Sequence, residues 1–333
     1  MGAAIKSLSC ETLPVPAPAA GQVRVKVQYA AVNPIDWKLM SGGLDGVCPC
    51  SFPYTPGFDI SGVVDAVGDD VSDLAAGDAV VADLGLVETC CNPPPAAGCG
   101  GAFAEFAVLP AGLCAKRGGM AADAAAGLPL AGLTTYQALF TGEGSSFAGE
   151  RLGDLKAGQK LLILGGSSAT GAFAVQLAKN ARATVAATAS ENLMPDGTTK
   201  KIDFVKSLGA DQVIDYKSAD WAEVLAGQEY DLIFDTVGLD EDLAKANKVL
   251  KKGGDFVSIA NFNPESKSTD EVRFAVFLIK STGAELSKLV QLADEGKLQV
   301  PVDSTVAFED VPAALEKNMS FRSGGKIVVK VSA

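Results

Sequence analysis

The residues with the clearest chemical use are those of Gly165-Gly-Ser-Ser-Ala-Thr-Gly171. They stand between an apolar run at 161–164 and apolar positions at helical spacing over 172–178. Small residues let backbone N–H groups come close to a phosphate, and a helix N-terminus adds its partial positive charge. Plain strand–turn–helix connections also carry glycines, so the loop by itself leaves two readings open: dinucleotide binding or an ordinary βα turn.

The rest of the chemical inventory narrows the choice. The chain contains no histidine, which excludes histidine-ligated zinc, Ser-His-Asp triads and Cys-His pairs together. Seven cysteines are present, Cys10, Cys48, Cys50, Cys90, Cys91, Cys99 and Cys114. Their number is odd and no two have C-x-x-C spacing, so they read as free thiols. A metal lobe from Cys90, Cys91 and Cys99 is the lesser alternative, and the expectation is no metal. The chemistry then falls to a bound cofactor or to Lys, Tyr, Asp, Glu, Ser and Thr.

The elements that must position the loop follow from hydrophobic period. Residues 1–126 read as mostly β. Alternation over 22–29 marks a half-buried strand, and further strands are expected over 58–68, 76–81 and 101–108. The Asn33-Pro34 step predicts an extended or turning backbone. Short strands with Gly/Pro turns suggest a barrel-like β domain. From Ala121 the chain turns Ala-rich and helical through 139, with breaks near Pro129 and Gly132, and 141–157 reads as a loop or partly helical insertion. Beyond the glycine loop, strands at 184–188, 212–214, 230–235, 254–260 and 273–279 alternate with helices at 202–208, 221–225 and 243–250. That alternation implies a doubly wound parallel sheet with the glycine loop at its first βα turn, and this context favours dinucleotide binding. The tail, with strands near 300 and at 326–331, is expected to return to the β domain. The division is therefore 1–126 with 281–333, and 127–280.

Bulk properties exclude other classes. A net charge of −12 argues against a nucleic-acid surface and against docking on anionic membranes. No apolar run reaches the ~18 residues of a membrane span, so no integral membrane segment is expected. The start of the chain has neither a signal-peptide core nor an Arg/Ser-rich transit segment, and a cytoplasmic protein is the plain expectation.

Coenzyme choice is read after the second strand of the parallel sheet, where NAD enzymes place a carboxylate. Here the strand ends in Ser190, and a hydroxyl can donate to a 2′-phosphate that a carboxylate would repel. Lys200 and Lys201 are either nearby cations for that phosphate or the solvated start of a helix, and Glu191 counts against the first reading. NADPH is the expected coenzyme.

Several further stretches carry a resemblance. They are Val32-Asn-Pro-Ile-Asp-Trp-Lys38, Phe52-Pro-Tyr-Thr-Pro-Gly-Phe-Asp-Ile-Ser-Gly-Val-Val64, Gly101-Ala-Phe-Ala-Glu-Phe106, Leu128-Pro-Leu-Ala-Gly-Leu-Thr-Thr-Tyr136, Ser207-Leu-Gly-Ala-Asp-Gln-Val-Ile-Asp-Tyr216, Phe234-Asp-Thr-Val-Gly238 and Gly324-Gly-Lys-Ile-Val-Val329. With them the chain resembles the zinc-independent quinone oxidoreductases of the medium-chain dehydrogenase/reductase superfamily, especially their enone and alkenal reductase branch. The resemblance implies a GroES-like β-barrel catalytic domain completed by the tail, a Rossmann domain and NADPH. Ser168 and Ala169 stand where the family usually has glycines, and 191–199 and 141–153 look like insertions.

What the resemblance implies for the site is hydride transfer to the double bond of an α,β-unsaturated ketone or aldehyde, or to a quinone. Lys38 is the candidate donor near the product oxygen, with a surface lysine as its alternative reading. Asn33 is expected to shape the site or touch the nicotinamide ribose, and Thr135 to lie near the nicotinamide. Gly165, Gly166, Ser167, Ala169, Thr170 and Gly171 would hold the pyrophosphate, and Ser190, Lys201 and Tyr216 the adenosine end. Val237, Gly238, Ala260, Phe277 and Leu278 would offer backbone groups or packing. Arg322 and Lys326 would approach the coenzyme or serve only the fold. Leu44, Phe52, Tyr54 and Phe262 are candidate walls for a small hydrophobic carbonyl or quinone substrate.

Rival readings are a metal-free alcohol dehydrogenase and a catalytically weak NADPH-binding protein. The strand over 273–279 could pair across the edge of a homodimer, and chloroplast residence is the alternative address.

Overall fold

A computed structural model of the protein describes residues 5–44, 52–86, 101–141, 145–146, 152–263 and 265–332. The chain divides into two compact units, Met1–Ala131 with Ser281–Ala333 and Gly132–Lys280.

The first unit opens with β1 (Gln22–Ala31), where Val23, Val25 and Val27 are buried between more exposed polar residues. An α-helix, α1 (Pro34–Met40), follows where an extended or turning segment was expected. The pre-proline constraint is met one residue earlier, because Asn33 is extended (φ −130°, ψ 155°) and acts as N-cap. Pro34 then takes the first helical position, where its missing N–H costs nothing. The Asp36 carboxylate accepts from the Asn33 N–H at 2.7 Å. Asn-Pro-x-Asp was thus a readable helix start.

Next come β2 (Asp59–Val67), β3 (Ala79–Asp83), β4 (Phe106–Pro110) and β5 (Cys114–Lys116). The strand expected from 101 begins only at Phe106. Ala102 and Phe103 instead donate their N–H groups to Gly57 and Pro56 at 2.9 and 3.0 Å, pinning that stretch to a neighbouring loop. Short helices α2 (Ala122–Ala126) and α3 (Pro129–Tyr136) flank the expected break.

The second unit holds β6 (Ser145–Ser146), β7 (Lys160–Leu164), α4 (Ala169–Asn180), β8 (Thr184–Ala189), α5 (Lys201–Ser207), β9 (Gln212–Asp215), α6 (Trp221–Val224), β10 (Tyr230–Asp235), α7 (Asp240–Lys245), β11 (Leu250–Ser258) and β12 (Val272–Leu278). The helix expected over 243–250 stops at Lys245, since Leu250 already pairs with Tyr230 in the sheet. The sheet runs β6-β12-β11-β10-β7-β8-β9. All neighbours are parallel except β6 on β12. Leu161 to Leu164 are at most 1% exposed, as a strand covered on both faces requires. Strand order reverses at β7, the switch point where such sheets bind ligands beyond their C-terminal ends. At Phe277 and Leu278 the outer edge of β12 pairs with Ser146 and Ser145 of the same chain.

The tail supplies α8 (Gly283–Asp294), β13 (Val302–Ala307), α9 (Val311–Met319) and β14 (Lys326–Lys330) to the first unit. β14 pairs antiparallel with β1 and parallel with β13. The resulting sheet runs β13-β14-β1-β2-β3-β5, with β4 also on β1.

Candidate functional site

In the second unit the glycine loop leaves the C-terminal end of β7. Gly165 adopts φ +87°, and a Cβ there would lie 2.5 Å from Thr236 Oγ1. A Cβ on Gly166 would meet Ala187 Cβ at 2.8 Å, and one on Gly171 would meet the Gly165 carbonyl oxygen at 2.2 Å. Gly165 is thus held to glycine by its φ, Gly166 by the close approach of the Ala187 side chain and Gly171 by that of the Gly165 carbonyl. Ser168, standing where the resembled family has glycine, is put to use as the N-cap of α4 and accepts from the Gly171 N–H at 2.9 Å. Its hydroxyl also lies 3.1 Å from Thr236 Oγ1, which donates to the Leu164 carbonyl at 2.8 Å. First-turn N–H groups have no intrahelical acceptor. Besides that of Gly171, which Ser168 serves, the N–H groups of Ala169 and Thr170 stand at the positive end of α4, a kind of place that suits an anion. Thr135 is fully buried and donates to the Thr170 carbonyl at 3.2 Å, so it braces the loop from α3.

The end of β8 is stitched to the same loop. Thr188 accepts from Gly166 N–H through its carbonyl at 2.8 Å and from Gly165 N–H through its hydroxyl at 2.9 Å. Ser190 follows, 2% exposed. Residues 191–200 form a hairpin with a bridge between Leu193 and Lys200. Its turn is held by Asp196, whose carboxylate accepts from the N–H groups of Thr198 and Thr199 and from the Thr199 hydroxyl. Those bonds bring its pKa down to about 2. Lys200 is ion-paired with Glu191, Lys201 begins α5, and Tyr216 is 55% exposed at the end of β9, its N–H on the Ala189 carbonyl.

Two residues outside the candidates expected from sequence organise the opposite rim. Asp235 is fully buried at the end of β10. Its carboxylate accepts from Val237 N–H at 2.8 Å, Gly238 N–H at 3.0 Å and the Ser258 hydroxyl at 2.7 Å. Ser258 in turn accepts from the N–H groups of Ala260 and Asn261 at 3.2 and 2.9 Å. One carboxylate thus fixes the loops after two adjacent strands. Burial pushes its pKa up against these bonds. A Cβ on Gly238 would come 2.7 Å from the Ala260 carbonyl carbon, so the two loops touch. The signal was an acid and a serine at the ends of neighbouring parallel strands. Phe277 is buried in the core at the end of β12, with Leu278 next to it, and Phe262 is 38% exposed.

In the first unit the candidates divide. Lys38 is partly buried on α1, its ammonium 5.8 Å from the Trp37 ring, and desolvation lowers its pKa from the ordinary value. Trp37 donates to Asn318 at 2.9 Å and meets Phe321 edge-on at 6.2 Å. Asn33 and Lys326, 293 positions apart, meet in a buried polar cluster. The Lys326 ammonium donates to Asn33 Oδ1 and, at 2.9 Å, to Asp59. The Asn33 amide donates to Asp59 at 2.8 Å and to the Ala31 carbonyl at 3.3 Å. Asp59 also accepts from the Leu130 N–H at 2.7 Å. Buried nearby are Asp36, with one oxygen unmatched, and Asp83, which accepts from the Ser281 hydroxyl at 2.6 Å. Desolvation raises both, Asp36 to about 8. Both side-chain ends of Asn33 are thus committed within this cluster, while Arg322 lies exposed on the approach to β14.

Leu44 and Tyr54 pack on the buried pair Leu39 and Phe58, and Phe52 is 69% exposed. Cys10 and Cys114 are free thiols, and burial pushes Cys114 up to about 12. The remaining cysteines, with the Cys90, Cys91 and Cys99 alternative, lie outside the described residues. Among the described residues no three His, Cys, Asp or Glu side chains are grouped to hold a metal ion, and no helix is long and apolar enough to cross a membrane.

Comparison with known proteins agrees with this architecture. Residues 19–119 match the alcohol dehydrogenase GroES-like domain and residues 208–329 the zinc-binding dehydrogenase family. The chain is 33% identical to the chloroplastic quinone oxidoreductase QR1 of Triphysaria versicolor, over 96% of this chain and 92% of that protein. It is 34% identical to the chloroplastic NADPH-dependent alkenal/one oxidoreductase of Arabidopsis thaliana, over 92% of this chain and 72% of that protein. The solved quinone oxidoreductase of Coxiella burnetii superposes with a TM-score of 0.79 at 28% identity, covering 98% of this chain and 96% of that one.

Proposed function

The chain belongs to the quinone and alkenal/one oxidoreductase family of the medium-chain dehydrogenase/reductase superfamily, and from that premise we propose that it reduces quinones or the double bond of α,β-unsaturated carbonyls with NADPH and without a metal ion. The observation that carries the coenzyme reading is the glycine loop. Gly165, Gly166 and Gly171 leave no room for a Cβ, and the first turn of α4 faces beyond the sheet at its switch point. That build suits a pyrophosphate. Thr135, Asp235 and Ser258 hold the surrounding loops in place, so the coenzyme would meet a preformed rim.

When bound, the nicotinamide supplies the hydride. The protein's task is to bind, orient and handle the oxyanion that develops as the hydride arrives. Lys38 is the proposed donor to that oxygen: its ammonium is partly withdrawn from water, and its lowered pKa eases proton release. The absence of histidine from the sequence supports a metal-free route. Asn33 and Lys326, bound to Asp59, are proposed to set the frame from which α1 presents Lys38. Leu44, Tyr54 and Phe52 are the proposed apolar wall in the first unit. The chloroplast residence in relatives' names supports the same address for this chain.

The test is a panel of enones, alkenals and quinones assayed with NADPH and with NADH. Coenzyme oxidation that depends on at least one substrate class and survives chelator treatment is expected. Failure of every substrate, or a strict need for added zinc, overturns the reading.

A further inference from the structure

The hairpin after β8 carries two opposed charges at the place where nicotinamide coenzymes are told apart. Glu191 follows Gly171 by the roughly twenty residues at which dinucleotide folds set the acid that takes the adenosine ribose hydroxyls. The structure shows why that spacing is meaningful here. The end of β8 is hydrogen-bonded to the glycine loop through Thr188, and Glu191 comes three positions later. Alone, this carboxylate would repel a 2′-phosphate. It is not alone, because the hairpin folds back and returns Lys200 to it as an ion pair.

We propose that the Glu191–Lys200 pair is a coenzyme-selecting switch that lets one site take both forms: Glu191 accepts from the ribose hydroxyls of NADH, while Lys200 leaves Glu191 for the 2′-phosphate of NADPH. This rests on the reading above that the coenzyme sits on the glycine loop. Three features carry it. First, the side chains of Lys200 and Glu191 are 50% and 53% exposed, so either can turn to a ligand. Second, exposed ion pairs contribute little to stability, so exchanging Glu191 for a phosphate costs the fold almost nothing. Bonds from an ammonium to a phosphate are among the stronger charge-assisted ones. Third, the hairpin is held independently of the pair. The Lys201 N–H donates to the Asn192 carbonyl and Met194 N–H to the Thr199 carbonyl, at 2.8 and 2.7 Å. Lys217 donates to the Asn192 side chain at 3.0 Å. Breaking the ion pair therefore leaves the hairpin standing. The Glu191 carboxylate favours the charged form of Lys200, and Asp203 in the first turn of α5 adds to this in the same direction. Ser190, 2% exposed, stays behind as a neutral neighbour.

The test is calorimetric titration of NADPH and of NADH into the intact protein, Glu191→Gln and Lys200→Met, at low and at physiological salt. The unaltered protein is expected to bind both coenzymes. Glu191→Gln is expected to tighten NADPH about threefold and to weaken NADH by a similar factor. Lys200→Met is expected to weaken NADPH about tenfold, with a flatter salt dependence, and to leave NADH no tighter than before. Both substitutions are on a half-exposed surface, and a thermal melt of each variant checks that the fold is kept. If the unaltered protein binds both and neither substitution moves the NADPH-to-NADH ratio, the switch is overturned while the coenzyme reading stands. If the unaltered protein binds neither, both fall.

Discussion

The Lys326 ammonium lies 2.9 Å from a carboxylate oxygen of Asp59, with the two side chains 3% and 0% exposed. Among the residues described around them are two further buried carboxyl groups, Asp36 and Asp83. A charge so far from water is tolerable only while its partner and hydrogen bonds remain. Lys326→Met should therefore destabilise the first unit by about 3–5 kcal/mol in urea unfolding, because it strands Asp59. Adding Asp59→Asn should recover at least half of that loss. A single variant with unchanged stability would remove the pair from its structural role.

Asp36 gives the fold a pH signature. Its carboxyl holds a proton up to about pH 8 in the folded state, against 3.8 for an ordinary aspartate, because burial outweighs the Asn33 N–H bond. The folded state thus binds more protons than the unfolded chain between those values, and stability falls as pH rises from about 4 to 8. Asp83, shifted in the same direction, adds to the slope. Asp36→Asn keeps an oxygen for the Asn33 N–H and cannot ionise. Melting temperatures measured from pH 5 to 9 should fall less steeply in this variant than in the parent, and equal slopes would refute the assignment.

Ser258→Ala removes the acceptor for two N–H groups and a donor to Asp235. Each buried group left unmatched costs about 1–3 kcal/mol, part of which should appear as looser loops. Coenzyme dissociation constants from fluorescence titration should rise about tenfold, while Ser258→Thr, which retains the hydroxyl, stays near the parent. Weakened binding in both variants, or in neither, would contradict this.

Lys38→Ala should lower turnover on an enone by about 10²-fold, the lower range for a positioned proton donor. NADPH affinity should remain close to that of the parent. Because desolvation lowers the lysine's pKa from 10.5, the alkaline limb of the turnover profile should lie below that value and vanish in the variant. Unaltered turnover would remove Lys38 from the mechanism.

The glycine loop, its strand and its helix could be read from consecutive residues, because backbone crowding, an apolar run and a 3.6-residue period are all local properties. The same holds for the alternation of β1 and for the βα repeat from 160 onward. Asn-Pro-x-Asp at 33–36 is equally local, yet the extended or turning backbone expected of the Asn33-Pro34 step ends at Asn33, and Pro34 starts α1.

The polar clusters were of another kind. Asn33, Asp59 and Lys326 are separated by 26 and 267 positions along the chain, and Ser281 lies 198 from Asp83. Nothing in their immediate neighbours states that these charges will be buried together. Glu191 and Lys200 likewise stand nine positions apart, and only the hairpin makes them a pair. The sequence by itself determined the family, the two kinds of sheet and the glycine turn between β7 and α4, since each rests on short-range pattern. Tertiary structure alone decided which charged groups neutralise one another, because electrostatic pairing depends on distance and burial in space and not on order along the chain.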